Sequence, residues 1–553
     1  MTGRPAFAGW SPTGIVADAR PLRSAAANAG GGILRLLVGL CIACAVERLP
    51  AWQTGESDGH PDWFGIQVVD RASGRGVPLI RLTTVNNIVL VTDSAGWVAF
   101  QEPGLMNREV FFRVAGHGYT CPQDGFGYSG VRLNVQPGQT ARIEVDRTNL
   151  AERLYRITGQ GIYRDSGLLG LPVPLAQPDL PGGVLGQDTV QAAVYGDRIY
   201  WFWGDTNRAG YPLGNFRTSG AVSRLPDQGG LPAETGIDLD YFVGETGFTR
   251  PMAPVEGPGM VWINGLFVLE SDGRQQMYAR FSRRKSLAEQ IEHGLVRFAD
   301  SDQTFHPLAR FADSARLYPR GQATVVGEHV YFATPFPTVR VVASAEAIVD
   351  PAGYEAWTCL APGTGYLGRR SSVERDEEGQ VVWGWKRDTS AITSRQERAL
   401  VDAGLLQPAE TRIRISESEP FDPQAPSPEL HSGSVRWNPW RNRWVMIGLQ
   451  VGGEHSFLGD VWFAESDQLT GPWLNARRVA VHHNYSFYNP AHHDFLDQRE
   501  GRDIFFQGTY VTTFSAAKQP TPRYDYNQIM YRLSLDDPAL QLPPPAAADS
   551  GND

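Results

Sequence analysis

Cysteine is scarce, with four in 553 residues. Cys41 and Cys44 lie in an apolar run near the N-terminus, while Cys121 and Cys359 fall in different expected domains, so the chain reads as two unpaired thiols rather than a disulfide framework. A stripe of Lys and Arg is also missing, and the formal net charge is −10. Without basic side chains gathered to neutralise phosphates, nucleic acid is disfavoured as a partner. There is no Gly-rich phosphate loop, no G-x-S-x-G elbow and no H-E-x-x-H helix. Nucleotide enzymes, α/β-hydrolases and the common zinc proteases are disfavoured in turn.

Long apolar runs are few. The run from Leu36 to Val46 (LLVGLCIACAV) follows Arg23 and Arg35, is too short to span a bilayer comfortably, and ends in Ala43-Cys44-Ala45. It reads as a secretory signal over residues 1–45, and hence as export to the periplasm or the medium. The alternative is a membrane anchor, the membrane then being met only through this uncleaved segment. A polar linker follows over 46–62. What the chain does have in quantity is Gly (60) and Pro (39), against 42% hydrophobic residues. Many tight turns of this kind favour β-structure.

Residues 63–148 alternate apolar and polar positions between turn residues: FGIQVVD, VPLIRLTTV, NIVLVTD, GWVAFQ, REVFFRVAGHGY, VRLNV and ARIEVD. Short strands at this spacing predict a β-sandwich. The order of elements resembles the transthyretin-like modules found beside carboxypeptidases and in exported bacterial proteins, which implies a packing or spacing role. From 149 to 537 the chain repeats a coarse unit of polar residues, apolar strand, turn and aromatic-rich strand. Five such units begin at Gln187-Asp188-Thr189, Val255-Glu256-Gly257, Arg320-Gly321-Gln322, His431-Ser432-Gly433 and Tyr488-Asn489-Pro490. Their hairpin turns are expected at YGDR, WING, VGEH, NPWRNR and DQREGR. The fold class is therefore all-β, an N-terminal sandwich followed by a five-bladed β-propeller. SLAEQIEHGLVRF and SRQERALVDAGLL are expected to be helical insertions, and residues 538–553 a disordered tail.

In a propeller the first residue of each innermost strand faces the central funnel, so Asp188, Glu256, Arg320, His431 and Asn489 should converge there. The amide, imidazole and guanidinium can hydrogen-bond sugar hydroxyls. The two carboxylates can supply the acid and the base or nucleophile of glycosidic cleavage.

The stretch LGQDTVQAAVYGDRIYWFWGDTN resembles the first blade of arabinanase- and xylosidase-like five-bladed glycoside hydrolases, nearest the family of D-arabinan-degrading endo-enzymes. LGDVWFAESDQLTGPW resembles an outer strand and turn of the same superfamily. That resemblance implies a base or nucleophile at Asp188 and an acidic partner on a following blade, with Glu256 best placed for it. It also implies a carbohydrate polymer as partner, and a calcium ion on the axis held through a histidine. Asp205 in WFWGDT is either a turn residue capping its own backbone or a charge near the site. His482, His483, His492 and His493 form two adjacent pairs, of which one member each can reach a common site; His492 is the candidate for the funnel. Tyr211, Tyr241 and Tyr318 are candidates for a binding rim. A non-catalytic carbohydrate-binding propeller and a structural module both stay open as alternatives.

Overall fold

A computed structural model describes residues 63–413 and 428–541. The expected signal segment, the linker and most of the tail lie outside the described residues. The beginning of the tail does not: residues Pro538–Leu540 form a 3-10 turn whose Leu540 is fully buried, a departure from the disorder expected of 538–541.

Two four-stranded sheets make up residues 64–147. One joins Phe64–Asp70 to Trp97–Phe100 and, in parallel, to Thr140–Arg147, which also pairs with Tyr119–Thr120. The other contains Arg81–Thr84, Val89–Val91, Arg108–Ala115 and Gly130–Val135. In Arg108–Ala115 the alternation places Val110, Phe112 and Val114 inward, and they meet Ile66, Val68 and Phe100 of the first sheet in one apolar core. Cys121 and Cys359 are both buried and unpaired.

Six antiparallel sheets follow among the described residues: a small one of three strands, and five of four or five strands that form the blades. Their innermost strands are Val190–Tyr195, Met260–Ser271, Gln322–Val326, Leu430–Asn438 and Ser486–His492. Successive inner strands touch one another, with Leu266 N donating to Gln191 Oε1 (3.1 Å), Gly265 N to Gly321 O just before the third inner strand (3.1 Å), Thr324 Oγ1 to Val435 O (3.1 Å) and His492 N to Ser434 Oγ (2.8 Å), and Gln322 Nε2 of the third reaches across to Val190 O of the first (3.1 Å). The ring is closed by a strand from before the first blade. Glu152–Arg156 pairs with Asn527–Ser534 as the outermost strand of blade 5. The closure leaves no free edge there, the usual propeller answer to the exposed-edge problem.

Two expectations about local structure need correction. SLAEQIEHGLVRF is not helical: Gln290–Ala299 is a strand of blade 2 hydrogen-bonded on both sides, to Arg274–Arg284 and to Thr304–Phe311. Pairing across the sheet overrides the helix-forming residues. Nor is WING a turn. Met260–Ser271 runs through it with a bulge between Asn264 and Phe267, at which Gly265 takes φ 60°, and the chain reverses at Asp272-Gly273 instead. A Cβ at Gly265 would come within 2.9 Å of Pro319 Cβ, so the strand can lie against the next blade only with glycine there. The other insertion, Ser394–Asp402, is a helix with a Thr393–Gln396 capping box.

The sandwich is fastened to the propeller by a buried polar seam. Asp93 Oδ2 accepts from Ser166 N (2.6 Å) and Ser166 Oγ (2.7 Å), Asp165 Oδ1 accepts from Ala99 N (3.0 Å), and Tyr524 OH donates to Thr92 O (2.8 Å). Arg153 on the closing strand donates to Pro78 O (3.0 Å) and His117 O (2.8 Å).

Candidate active site

The hairpin of blade 1 is split in two. Val190–Tyr195 and Arg198–Trp203 belong to the blade, but the same two chain segments continue as Val184–Gln187 and Thr206–Arg208 in a separate three-stranded sheet with Tyr211–Asn215. At the break, Asp188 N donates to Asp205 O (3.1 Å) while Gly204 N donates to Asp188 O (2.9 Å). Gln187 still pairs with Thr206 and Val190 with Trp203, so Asp188-Thr189 and Gly204-Asp205 lie two against two at the break between the sheets. Thr189 sits at φ 32°, outside the ordinary range for a β-branched residue. It is held there from three sides: its N–H donates to Thr509 Oγ1 (3.1 Å), and its hydroxyl donates to Asp188 Oδ1 (2.5 Å) and accepts from Asn489 Nδ2 (2.7 Å).

Asp188 and Asp205 face each other across this break, both half-buried. Asp188 receives the Thr189 hydroxyl, the Tyr526 hydroxyl on Oδ2 (3.4 Å) and the Tyr488 hydroxyl. Burial raises its pKa, and those donors pull it back toward the charged form. Asp205 has a single side-chain donor, the Trp262 indole, whose Nε1 lies 2.7 Å from Oδ1. Burial, against that one donor and with the added repulsion of Asp188, pushes Asp205 up to about 7. Two neighbouring carboxyls with unequal donor sets separate into an acid that keeps its proton and a carboxylate that has lost it. Tyr488 and Tyr526 are raised far above the ordinary tyrosine range by burial and by the Asp188 charge, so both remain hydroxyl donors.

The register of the inner strands locates the remaining candidates. Gln322 Nε2 reaches Val190 O across the ring, which brings the start of the third inner strand, with Arg320 just before it, to the same end as Asp188. Thr324 meets Val435, which puts His431 at the same height as Arg320. Asn489 reaches Thr189 directly. Asp188, Asp205, Arg320, His431 and Asn489 are therefore brought to one end of the propeller. Glu256 is not among them: it is exposed in the turn ahead of Met260–Ser271, and blade 2 sends Trp262 and Asn264 to the level of Asp188 instead. His492 is likewise no funnel residue. It is fully buried, with Nε2 bound to both Asp497 oxygens (2.9 and 3.0 Å). Of the tyrosines expected at a rim, Tyr211 is exposed and Tyr318 half-buried, but Tyr241 is buried, stacked on Trp203, with its hydroxyl on Gln187 Oε1 (2.8 Å).

Sequence reading missed Trp262, Tyr488 and Tyr526. Tyr488 stands beside Asn489, and Trp262 lies inside an aromatic-rich strand, where a tryptophan looks like blade core. Tyr526 comes from the start of an outer-blade strand and carries no local signal. Calcium takes six to eight oxygen ligands. No group of three or more His, Cys, Asp or Glu side chains able to share an ion occurs among the described residues, so any axial calcium would be held through carbonyl, amide or water oxygens. A cavity of about 430 Å³ lined by Arg198, Arg224, Asp238 and Asp240 opens at the other end of blade 1, beside its hairpin turn and away from Asp188.

The chain is an all-β protein, a sandwich followed by a β-propeller with a carboxyl pair at the mouth. No protein-family model and no curated protein matches it. Solved structures similar to it include an α-L-arabinanase from Cellvibrio cellulosa (10% identity, 63% of this chain and 92% of that one, TM-score 0.30). An exo-1,5-α-L-arabinanase from a bovine ruminal metagenomic library (9%, 64% and 94%, 0.30) and an exo-β-1,3-galactanase from Phanerochaete chrysosporium (8%, 69% and 65%, 0.34) are similar to about the same degree. With TM-scores well under 0.5 these are distant likenesses. The blades and side chains described above define the fold and the site on their own.

Proposed function

We propose that the funnel mouth is the active site of an exported glycoside hydrolase acting on a carbohydrate polymer, with Asp205 as general acid and Asp188 as the carboxylate that activates water or attacks the sugar. The observation that carries this reading is the pair itself, two carboxyls at one break in the first hairpin with Asp205 held near pH 7. Asp205 would pass its proton to the glycosidic oxygen as the bond to the anomeric carbon breaks. Asp188, whose three hydroxyl donors favour its charged form against burial, would take a proton from water or form the glycosyl intermediate that water then opens. Tyr488, Tyr526 and Asn489 supply donors around the reacting carbon, and Trp262 offers a half-buried aromatic face to a sugar ring. The first-blade resemblance favours a furanosidic polymer, and the apolar run before residue 46 favours export.

The test is turnover of plant, algal and bacterial-wall polysaccharides by the full chain. Asp188→Asn and Asp205→Asn should each lose on the order of 10³-fold in kcat/KM, while Glu256→Gln stays within about threefold. Turnover surviving both Asp changes overturns the assignment. A loss on Glu256→Gln comparable to theirs would return the acid to the following blade. The anomer released first, read by NMR, tells whether Asp188 acts as base or nucleophile.

A further inference from the structure

Beside the carboxyl pair, blades 2 and 3 gather cations that no acid neutralises. Arg280 and Arg320 flank the Tyr318 ring, their guanidinium carbons 4.3 and 4.6 Å from its centroid. His293 meets the same ring edge-on at 4.9 Å and lies 3.4 Å from Arg280 Nε through its Nδ1. Arg284 follows Arg280 by four residues on the same strand, and so shares its face of the sheet. Other arginines of these strands are paired, Arg283 and Arg310 both holding Glu292 at 2.8 Å. Arg280, Arg284 and Arg320 form no ion pair among the described residues. Their partners are neutral: Gln290 Oε1 for Arg280, and the Ser286 and Leu287 carbonyls with Ser282 Oγ for Arg284. Arg320 Nε is buried with no partner. His293 feels the carboxylate of Asp313, which is exposed. Burial, with the like charges of Arg320 and Arg284 adding to it, pushes Arg280 down to about 10.

The cluster adjoins the site. Cross-strand pairs share a face of a sheet, and Trp262 pairs with Ser282 while Asn264 pairs with Arg280. The indole that holds Asp205 and the Arg280 side chain are therefore diagonal neighbours on one face. Asn264 also accepts from Gly321 N, which brings Arg320, the residue before it, to the same end of blade 2. Partly buried cations without counter-charges are costly to keep in a folded protein unless something outside the chain compensates them. Guanidinium forks match the oxygens of carboxylate, sulfate and phosphate groups.

We propose that Arg280 and Arg320 form a subsite for an anionic substituent of the sugar, so that the polymer taken at the mouth is an acidic polysaccharide. This rests on reading the mouth as a sugar site, and it is tested by binding, which needs no turnover. The probes are trigalacturonate, its carboxyl-reduced neutral counterpart, and a sulfated neutral trisaccharide, titrated by calorimetry into the full chain at 20 and 200 mM salt. At least one anionic probe should bind tenfold or more tightly than the neutral one, with an advantage that shrinks at high salt. Which anionic probe wins separates a uronate from a sulfate ester. Arg320→Gln should erase the advantage, and Arg320→Lys should keep part of it, with the melting temperature of each variant checking that the fold survives. Arg280→Gln provides the second variant. Equal binding of all three probes, no binding of any, or an advantage untouched by both Gln variants overturns the subsite. The hydrolase reading fails separately, on the Asp188→Asn and Asp205→Asn turnover measurements.

Discussion

Asp188 and Asp205 differ in the donors each receives, and that difference sets how the protein should respond to pH. Asp205 must be protonated to act as the acid, so kcat/KM should fall as pH rises through about 7. Trp262 donates to the charged form of Asp205 and so lowers its pKa. Trp262→Phe removes that donor, and the alkaline limb of the pH profile should move upward. A limb that stays in place under this change would separate it from Asp205. Stability should follow the same group in the same direction. Its folded pKa lies above the unfolded value of 3.8, so the native state is favoured while Asp205 stays protonated, and that stability is lost as pH rises from about 4 through about 7. Asp205→Asn abolishes the loss. Above pH 8 this variant should be more stable than the parent by about 2 to 4 kcal/mol in chemical denaturation, allowing for the partial exposure of the carboxyl. At pH 4 the two should unfold alike.

At the scale of elements, the break in the first hairpin does the positioning. Thr189 holds its left-handed backbone only because Thr509, Asp188 and Asn489 all bind it. Thr189→Ala deletes the hydroxyl that steadies the Asp188 carboxylate. Activity should drop roughly tenfold to a hundredfold, with the acid limb shifted to higher pH and the melting temperature little changed. An unshifted acid limb would deny Thr189 any role in tuning Asp188. Much of this hairpin was legible in the chain, because VQAAVYGDRIYWFW alternates cleanly around a Gly-Asp turn and Asp188 stands where the alternation begins. Asp205 was visible but ambiguous, since an Asp before Thr after a strand looks the same whether it caps a turn or faces a partner. Blade 2 was misread in two places for physical reasons. Its third strand is written in residues that favour helix, and only pairing on both sides makes it a strand. Its Asn264-Gly265 bulge carries the residues of a hairpin turn, and this displaced the expected funnel residue from the Trp262–Asn264 region to Glu256. Arg280 and Tyr526 come from strands and loops whose neighbours are remote in sequence, and no local pattern marks them.

At the scale of the whole molecule, the sandwich and propeller are joined by more than a linker. Glu152–Arg156 belongs to blade 5 by its hydrogen bonds and to the seam by Arg153, which reaches two carbonyls of the sandwich. A chain beginning at residue 158 would expose the edge of Asn527–Ser534 and should lose cooperative unfolding, seen as a broad, early melt and aggregation. A native-like sharp transition would show that the closing strand is dispensable. Arg153→Met keeps the strand but unties it from Pro78 and His117, and should lower stability by about 1 to 3 kcal/mol with the blade intact.

The closing strand also sets an order on synthesis. Glu152–Arg156 leaves the ribosome about 370 residues ahead of the Asn527–Ser534 segment it must join, by which time the sandwich before it can already have folded. Arg153 ties that strand to the finished sandwich, which can hold its unpaired edge in place while four blades emerge. The N-terminal module would thus serve the nascent chain as a built-in holdfast, keeping the first strand of the ring presentable until the last blade arrives to meet it.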